Sequence, residues 1–352
     1  MRIIGLLIIY AILSLGCGKN DTTAIEGMYF PPINSSTWET KSVSNLNWDT
    51  SKIKSLKDFL IQNNTKSFII LVNGRIVLEE YYNGHNASAT WEWNSAGKTL
   101  VASTIGIAQQ ENLLNINNKA SEYLGSGWTN MPVDKENLIT CKNLLSMTSG
   151  IDDTKQLVIK SNLTYLSDAS TRWSYHNVFQ KLMDVVTSAN KSDFESYFNS
   201  RLKNKIGMDG FWNNGIVFKI YNSNTRSMAR FGILALNKGK WENEQILNEA
   251  FFVESTSSSQ AINPAYGYLW WLNGKNKFMI PTEQNVYQGS LIPNAPSDMY
   301  AAMGANDQKI YVIPSKKMVI VRMGEASNPT NPNFAISGFD SLLWDKLNAV
   351  IK

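Results

Sequence analysis

The sequence predicts a mixed α/β domain, with a mainly antiparallel sheet flanked by helices and interrupted by an inserted all-helical lobe. Two apolar runs flank Asn73-Gly74, which is a strong signal for a β-hairpin. Helical spacing then dominates residues 95–256, and strand-like runs return between residues 266 and 323. The two β regions can share one sheet only if the helical block is an insertion. Such an insertion leaves a cleft at the junction, where ligands commonly bind.

The elements follow in order along the chain. Residues 51–63 have the apolar spacing of a helix, and the hairpin strands are expected at 68–72 and 75–82. In the central block, helices are predicted at 95–111, 138–147, 178–189, 193–205, 225–237 and 248–255. Later strands are predicted at 266–272, 299–303, 309–313 and 318–323, and a final helix at 336–351.

The charge pattern argues against a nucleic-acid partner. The 352 residues carry a formal net charge of +4, and only 18% of them are charged. The basic residues are spread out, with short clusters such as Lys316-Lys317 and no tract that would follow a phosphate backbone. A hydrophobic fraction of 43% is ample for a large buried core.

The N-terminus has the features of an export signal. Arg2 supplies a positive charge, and the apolar run at residues 3–15 is shorter than the roughly 20 residues of a transmembrane helix. The run ends in Leu-Ser-Leu-Gly-Cys at 13–17, which resembles a bacterial lipobox. We therefore expect residues 1–16 to be a lipoprotein signal peptide and Cys17 to be lipidated, which places the protein in the bacterial cell envelope. A plain cleaved signal or a first helix of the fold is the alternative.

A flexible tether is expected between the lipid and the folded domain. Residues 17–49 are rich in Asn, Ser, Thr, Gly and Pro, a composition typical of linkers. The folded domain is then expected to occupy residues 50–352.

Cysteine and histidine content predicts neither a disulfide nor a metal site. Cys141 is the one cysteine besides Cys17, so the folded domain has no partner for an internal disulfide. We expect Cys141 to be a buried structural thiol. The two histidines, His85 and His176, are too isolated to form a zinc site with it at known spacings. No metal and no cofactor are expected.

Four Ser-x-x-Lys pairs are candidate nucleophile sites, and the motif alone does not choose among them. They start at Ser51, Ser95, Ser188 and Ser200. On a helix, residues i and i+3 share a face, so a neutral lysine amine can take the proton of the serine hydroxyl. Ser95 is favoured because it follows the hairpin and opens a helix, with Asn94 as a plausible N-cap. Free N–H groups at a helix start favour a developing oxyanion.

A Tyr-x-Asn motif further along the chain strengthens the choice of Ser95. Of its three matches, Tyr175-His176-Asn177 lies just before an apolar helix, whereas Tyr81 lies within a hairpin strand and Tyr197 within a predicted helix. The serine pairs that start at the other three positions lack such a well-spaced partner downstream.

Taken in order, these motifs resemble those of the class C β-lactamase family, which includes esterases, DD-peptidases and 6-aminohexanoate-dimer hydrolases. The matching segments are WNSAGK at 93–98, NLLSMTSGI at 143–151, WSYHN at 173–177 and ARFG at 229–232. Two later segments, YGYLWW at 266–271 and MGANDQKIYVIP at 303–314, are especially similar to the 6-aminohexanoate-dimer hydrolase branch. The resemblance covers about residues 50–352. It implies a serine β-lactamase-like hydrolase domain with the β-lactamase/transpeptidase fold, related to penicillin-binding proteins.

The resemblance implies a role for each matching catalytic residue. Ser95 would attack a carbonyl carbon and become acylated, while Lys98 and Tyr175 would share the proton transfers, with either as the primary base. A nearby ammonium group would favour the phenolate of Tyr175. Asn177 would hydrogen-bond Lys98 or a substrate amide. The side chain of His176 is expected to point away from the site.

The third motif of the family is altered in this chain. Ala302-Met303-Gly304 stands where the family has a basic residue or His, any residue, and Gly. Gly304 permits close approach of the backbone, and the N–H groups of Ala305 and Ser95 would form the oxyanion hole. Because Ala302 replaces a basic residue that is linked to recognition of a substrate carboxylate, the motif favours an esterase or amidase over penicillin turnover.

Three functions follow from the sequence. The leading one is an exported serine hydrolase that cleaves an amide or ester bond, and the second is a β-lactamase or DD-peptidase acting on cell-wall peptides. The third is a non-catalytic ligand-binding lipoprotein. The expected partners are a small-molecule or short-peptide substrate and the membrane, with no obligate protein partner. Trp173, Trp270 and Trp271 either line an apolar pocket or, as is commoner for tryptophan, pack in the core.

Overall fold

The computed structural model describes residues 27–215, 218–330 and 336–351, so the predicted signal peptide 1–16 and Cys17 lie outside the described residues. The α-helices are α1 (Ile53–Gln62), α2 (Lys98–Gln110), α3 (Ala120–Leu124), α4 (Val133–Glu136), α5 (Cys141–Leu145), α6 (Lys181–Asn190), α7 (Phe194–Phe198), α8 (Thr225–Leu236), α9 (Glu249–Ser255) and α10 (Gly338–Val350). Across these three ranges, the helices are all too short or too polar to cross a membrane.

The strands are grouped in one large sheet and several small ones. They are β1 (Thr65–Val72), β2 (Arg75–Tyr81), β3 (Trp91–Glu92), β4 (Phe211–Asn214), β5 (Lys219–Ser223), β6 (Lys240–Trp241), β7 (Glu244–Gln245), β8 (Trp271–Leu272), β9 (Lys277–Phe278), β10 (Tyr287–Gln288), β11 (Tyr300–Gly304), β12 (Gln308–Ile313) and β13 (Met318–Gly324). The large sheet has the order β2-β1-β13-β12-β11-β8, and all its pairs are antiparallel. It joins the N-terminal hairpin to the late strands, which confirms the predicted mixed fold with an inserted lobe.

The hairpin that opens the sheet has the turn that its sequence predicts. Asn73 and Gly74 have φ angles of 50° and 79°, both in the left-handed region. Consecutive positive φ values match the right-handed twist of the flanking strands, and Asn-Gly is the pair that adopts them at least cost. The turn therefore fixes the register in which β1 and β2 pair.

Helices cover both faces of the sheet. Along β12, Ile310 is directed toward α8, where a Cβ at Gly232 would lie 3.3 Å from it. Tyr311, the next residue, faces the opposite side and makes an edge contact with Trp344 of α10 at 5.8 Å between ring centroids. Side chains alternate between faces along a strand, so α8 and α10 enclose the sheet between them. The central strands are consequently buried on both sides.

Several predicted element bounds were wrong. The block 95–256 is not helical throughout, because β4 and β5 form a hairpin that pairs with β3 in a second sheet. The strand predicted at 266–272 is reduced to β8, since Leu269 has a φ of 60° and cannot continue an extended strand. The helix predicted at 138–147 contracts to α5, whose cap is the side chain of Thr140.

The described part of the predicted tether packs against the folded domain. Trp38 is only 8% exposed, and its indole N–H donates to Gly74 O at 2.7 Å. Thr40 forms a parallel bridge with Ile76 in the edge strand β2. Arg230 donates from the body to Pro31 O at 3.0 Å. Residues 27–49 thus make tertiary contacts with the domain that their linker-like composition does not predict. They also cover backbone groups along an otherwise open sheet edge.

Replacing Trp38 with Ala is expected to lower the free energy of unfolding by about 3 kcal/mol, because a buried ring and its hydrogen bond are both lost. Urea denaturation of the full folded domain measures the change. Ile33→Ala is the matched control, since this side chain from the same segment is 45% exposed. The control should change the free energy by less than about 0.5 kcal/mol. Equal small effects for both variants would contradict a docked segment.

Candidate active site

Ser95 lies in a tight turn at the start of α2, between the large sheet and the helical lobe. A 3₁₀ turn over Asn94–Gly97 leads directly into α2, and Ser95 is 8% exposed. Asn94 does not act as the predicted N-cap. It has a left-handed φ of 49°, and its Nδ2 donates to Glu92 Oε1 at 2.9 Å and Ala305 O at 3.2 Å. The sequence therefore identified the turn correctly but misassigned the role of Asn94.

Lys98 lies beside the Ser95 hydroxyl, as the i, i+3 spacing predicts. The distance between Lys98 Nζ and Ser95 Oγ is 2.8 Å. Lys98 is 2% exposed, and no carboxylate within the described ranges forms an ion pair with it. Transfer of an ammonium group out of water is costly when no opposite charge compensates it. Burial accordingly lowers the pKa of Lys98 from 10.5 to about 7.

Aromatic rings form the remaining surroundings of this amine. The Nζ atom lies 4.4 Å from the ring centroid of Phe179 and 4.8 Å from those of Tyr175 and Phe218. Contact with ring faces favours the charged amine by about 1–2 kcal/mol, which opposes the effect of burial. Burial lowers the pKa of Lys98, and the ring contacts act in the opposite direction. Both protonation states of Lys98 are thus accessible near neutral pH.

Tyr175 lies on the other side of Lys98, within a cluster of aromatic side chains. Its ring stacks on Trp271 at 5.7 Å between centroids, and Tyr266 makes an edge contact with it at 6.1 Å. Burial raises the pKa of Tyr175 above its ordinary value, although the nearby Ser95 hydroxyl and Trp271 indole act in the opposite direction. Among the described residues, the Tyr175 hydroxyl has no partner at hydrogen-bonding geometry. Because its pKa is raised, Tyr175 is a neutral phenol at neutral pH.

His176 and Asn177, the other two residues of the Tyr-x-Asn motif, contact the backbone of a neighbouring loop at Lys155 and Gln156. Asn177 Nδ2 donates to Gln156 O at 3.4 Å rather than contacting the Lys98 amine. His176 Nδ1 accepts from the Val178 N–H at 3.2 Å, and its Nε2 lies 2.9 Å from Lys155 O. Both imidazole nitrogens are engaged in this way, while burial lowers the pKa of His176. His176 thus supports the loop over the site.

Strand β11 ends against the turn that contains Ser95. A Cβ at Gly304 would lie 2.4 Å from Trp93 O and 3.0 Å from the Ser95 nitrogen, so only glycine allows this approach. Ala305 follows at the start of the next turn and accepts the hydrogen bond from Asn94. Ala302 is fully buried, so the position of the family's basic residue is filled by a methyl group. The backbone geometry of the third motif is kept without its positive charge.

Sequence reasoning missed several contributors to this site. Phe179 and Phe218 belonged to no motif, although Phe179 lies only four residues after Tyr175 in the sequence. Glu92 and Asn306 are in contact at 3.4 Å. They are brought together by the tertiary structure, which local sequence patterns do not predict. The predicted pocket or core residues Trp173, Trp270 and Trp271 are all buried. Trp173 and Trp271 also contact Tyr175, so the interpretations as core and as pocket residues are both partly correct.

Replacing Lys98 with Met is expected to stabilise the fold by about 1–4 kcal/mol at pH 7. Between pH 7 and 10.5 the unfolded chain binds a proton that folded Lys98 does not hold. The cost of burying Lys98 is therefore full at and below pH 7 and disappears as the pH approaches 10.5. Urea denaturation at pH 7 and pH 10 should show a gain that shrinks at the higher pH.

The matched control for this prediction is Lys54→Met, because the Lys54 side chain is 85% exposed. It should change the free energy of unfolding by less than about 0.5 kcal/mol at either pH. A Lys98→Met variant less stable than the wild type at pH 7 would contradict the inferred cost of burial.

Comparison with known proteins shows the family to which the chain belongs. The Beta-lactamase family model matches residues 61–335, well over half of the chain. No curated protein matches the chain in sequence. A Bacillus anthracis structure assigned as a 6-aminohexanoate-dimer hydrolase superposes with a TM-score of 0.66 and 19% identity, covering 92% of this chain and 89% of that one.

Other solved structures share the same fold at lower identity. A family VIII carboxylesterase has a TM-score of 0.63 and 13% identity, covering 84% of this chain and 96% of that one. A penicillin-binding protein homologue from Caulobacter crescentus has a TM-score of 0.63 and 10% identity, with coverages of 85% and 97%. At these identities the likeness shows the β-lactamase/transpeptidase fold alone. With a family match that spans both the nucleophile turn and the third-motif strand, the chain belongs to the β-lactamase family.

Proposed function

We propose that this protein is an exported serine hydrolase that cleaves an ester or amide bond through an acyl-Ser95 intermediate. The observation that carries the proposal is the 2.8 Å contact between Ser95 Oγ and a buried Lys98 amine whose pKa is about 7. A general base is most effective when its pKa lies near the working pH. The Lys98 amine meets this requirement and is already within proton-transfer distance of the hydroxyl.

In acylation, neutral Lys98 takes the Ser95 hydroxyl proton as Oγ bonds to the substrate carbonyl carbon. The resulting oxyanion accepts hydrogen bonds from the backbone N–H groups of Ser95 and Ala305. When the tetrahedral intermediate collapses, the leaving alcohol or amine takes a proton from Tyr175, which is replenished from Lys98. Water then attacks the acyl group by the same route in reverse and releases the acid and Ser95.

The pKa values favour Lys98 over Tyr175 as the primary base. The pKa of the buried phenol is raised, whereas that of the amine is lowered to about 7, so at neutral pH the amine is the group that readily accepts a proton. Tyr175 keeps its proton and is suited to donate it to a leaving group. The two residues thus divide the acid and base roles.

Aromatic and apolar surroundings support an uncharged acyl group as the substrate feature next to Ser95. The rings of Tyr175 and Phe218 face the Lys98 amine, and Trp271 stacks on Tyr175. Ala302 provides no positive charge for a substrate carboxylate. Ionised carboxylates are recognised in proteins chiefly by Arg, Lys or backbone N–H groups. A neutral ester or amide is therefore the better fit. The family match keeps β-lactamase or DD-peptidase activity as the second candidate.

Wild-type protein is expected to hydrolyse p-nitrophenyl butyrate, with a rate that rises with pH through about 7 as Lys98 loses its proton. Ser95→Ala should lower the rate by at least about 10³-fold. Ser200→Ala, which alters another Ser-x-x-Lys pair, is the matched control and should retain the wild-type rate. Mass spectrometry should find the acyl adduct on the peptide that contains Ser95, and a fluorescent penicillin should acylate the protein much more slowly. Acylation by neither reagent would contradict the enzyme proposal.

We also propose that Cys17 carries a lipid that holds the protein in the cell envelope, on the basis of the lipobox-like residues 13–17. Full-length protein from bacterial cells should then partition into the detergent phase of a Triton X-114 extraction, and Cys17→Ser should move to the aqueous phase. Cys141→Ser is the control, because Cys141 is buried in the domain and should not alter partitioning. Wild-type protein in the aqueous phase would contradict the proposal.

A further inference from the structure

Asn94 connects the two backbone segments that supply the proposed oxyanion hole. Its peptide bond to Ser95 carries one of the two N–H donors. Its carboxamide Nδ2 donates at 3.2 Å to the carbonyl oxygen of Ala305, the residue that carries the second donor. Asn94 is 8% exposed and has a left-handed φ of 49°. This one buried residue is therefore joined to Ser95 through its backbone and to Ala305 through its side chain. We infer that Asn94 is a positioning residue that aligns the two donors, an inference that rests on the proposed function.

Glu92 orients the Asn94 carboxamide and links it to the opposite turn. Glu92 Oε1 accepts from Asn94 Nδ2 at 2.9 Å and from Asn306 Nδ2 at 3.4 Å. Glu92 is held in turn by β3, where it pairs with Asn222 of β5. One carboxylate oxygen thus bridges the residue before Ser95 and the residue after Ala305. Both hydrogens of the Asn94 amide are used, one for each connection.

The turn after Ala305 is fixed from its far side as well. Asn306 and Asp307 have left-handed φ angles of 59° and 57°. Arg322, which is fully buried, donates to Asn306 O at 2.7 Å and Asp307 O at 3.1 Å. The hydrogen bond from Asn94 to Ala305 O adds the third consecutive carbonyl. With three carbonyls in a row held, the three peptide planes that follow the Ala305 Cα have little freedom to rotate. The N–H of Ala305 belongs to the preceding peptide plane and is positioned through the Ala305 Cα that the two planes share.

The residue type at position 94 is the one that such a role requires. Asparagine tolerates a left-handed backbone better than other non-glycine residues, and its amide supplies two donors without a charge. Glycine would keep the backbone but lose both donors. Aspartate would keep the shape but place acceptor oxygens against Glu92 Oε1 and Ala305 O. These two substitutions therefore separate the hydrogen bonds from the backbone conformation.

A structural role alone predicts a different outcome, and Asn64 provides the matched control. Asn64 also has a left-handed φ, of 54°, and its Nδ2 donates to a backbone carbonyl, Ala326 O, at 3.0 Å. Its hydrogen bond joins segments that do not include Ser95 or Ala305. If Asn94 only stabilises a turn, then variants at positions 94 and 64 should behave alike.

The test compares Asn94→Gly and Asn94→Asp with Asn64→Gly and Asn64→Asp in the full folded domain. We expect kcat for p-nitrophenyl butyrate to fall about 10- to 100-fold in the Asn94 variants with KM changed by less than about threefold, since displaced donors weaken the transition state but not substrate binding. Acylation and deacylation both pass through an oxyanion, so kcat falls whichever step is slower. The dissociation constant of phenylboronic acid, which forms a tetrahedral adduct on a catalytic serine, should rise by a similar factor.

Two further variants test the link through Glu92. Glu92→Gln keeps an oxygen acceptor for Asn94 and should stay within about threefold of the wild-type kcat, whereas Glu92→Ala should lower kcat as the Asn94 variants do. The Asn64 variants should retain the wild-type kcat even if urea denaturation shows that they are less stable.

Each outcome has a definite meaning. Folded Asn94 variants with wild-type kcat, or with losses equal to those of the Asn64 variants, would overturn the inference while leaving the proposed function intact. A rise in KM with unchanged kcat would also overturn it, because that pattern reports lost substrate binding. A wild-type protein that neither hydrolyses the ester nor acquires an adduct on Ser95 would overturn the proposed function and this inference together.

Discussion

The arrangement of the site depends on the removal of water from one lysine amine. Lys98 is enclosed by α2, by three aromatic rings and by the hydroxyl of Ser95, and no acidic side chain of the described residues neutralises it. A lysine in water would remain protonated at neutral pH and could not act as a base. The packing around Lys98 is therefore a condition for the proposed role of this amine as a base. The same packing makes Lys98 a cost to stability, as is common for groups retained for activity.

Charges are distributed unequally around the nucleophile turn. On one side, the rings of Tyr175, Phe179 and Phe218 surround the Lys98 amine. Behind the turn, buried ions are paired, as in the 3.0 Å contact between Lys309 and Asp340, and Arg322 donates to backbone carbonyls. Buried charges whose hydrogen bonds and ion pairs are satisfied make the backbone segments that they contact more rigid.

The sequence was sufficient to predict the fold class and the contact between Ser95 and Lys98, and physical reasons explain what it did not reveal. Ser95 and Lys98 could be placed because i, i+3 spacing is a local property of a helix, and the Asn73-Gly74 hairpin because its turn chemistry is local. The bridge from Asn94 to Ala305 joins residues more than 200 positions apart, and only the assembled sheet brings them together. The docking of Trp38 was missed for the same reason, since composition predicted a linker where long-range contacts hold the chain.

The docking of residues 27–49 on the edge of β2 also limits how far the folded domain can lie from a lipid anchor. If Cys17 carries the proposed lipid, only residues 17–26 remain to span from the membrane to the folded body. Ten extended residues reach at most about 35 Å, compared with more than about 100 Å for the whole segment 17–49. That span is comparable to the diameter of a small domain. With that anchor, the folded domain would stay in a thin layer next to the membrane, and groups deep in a thick polymer would lie beyond its reach.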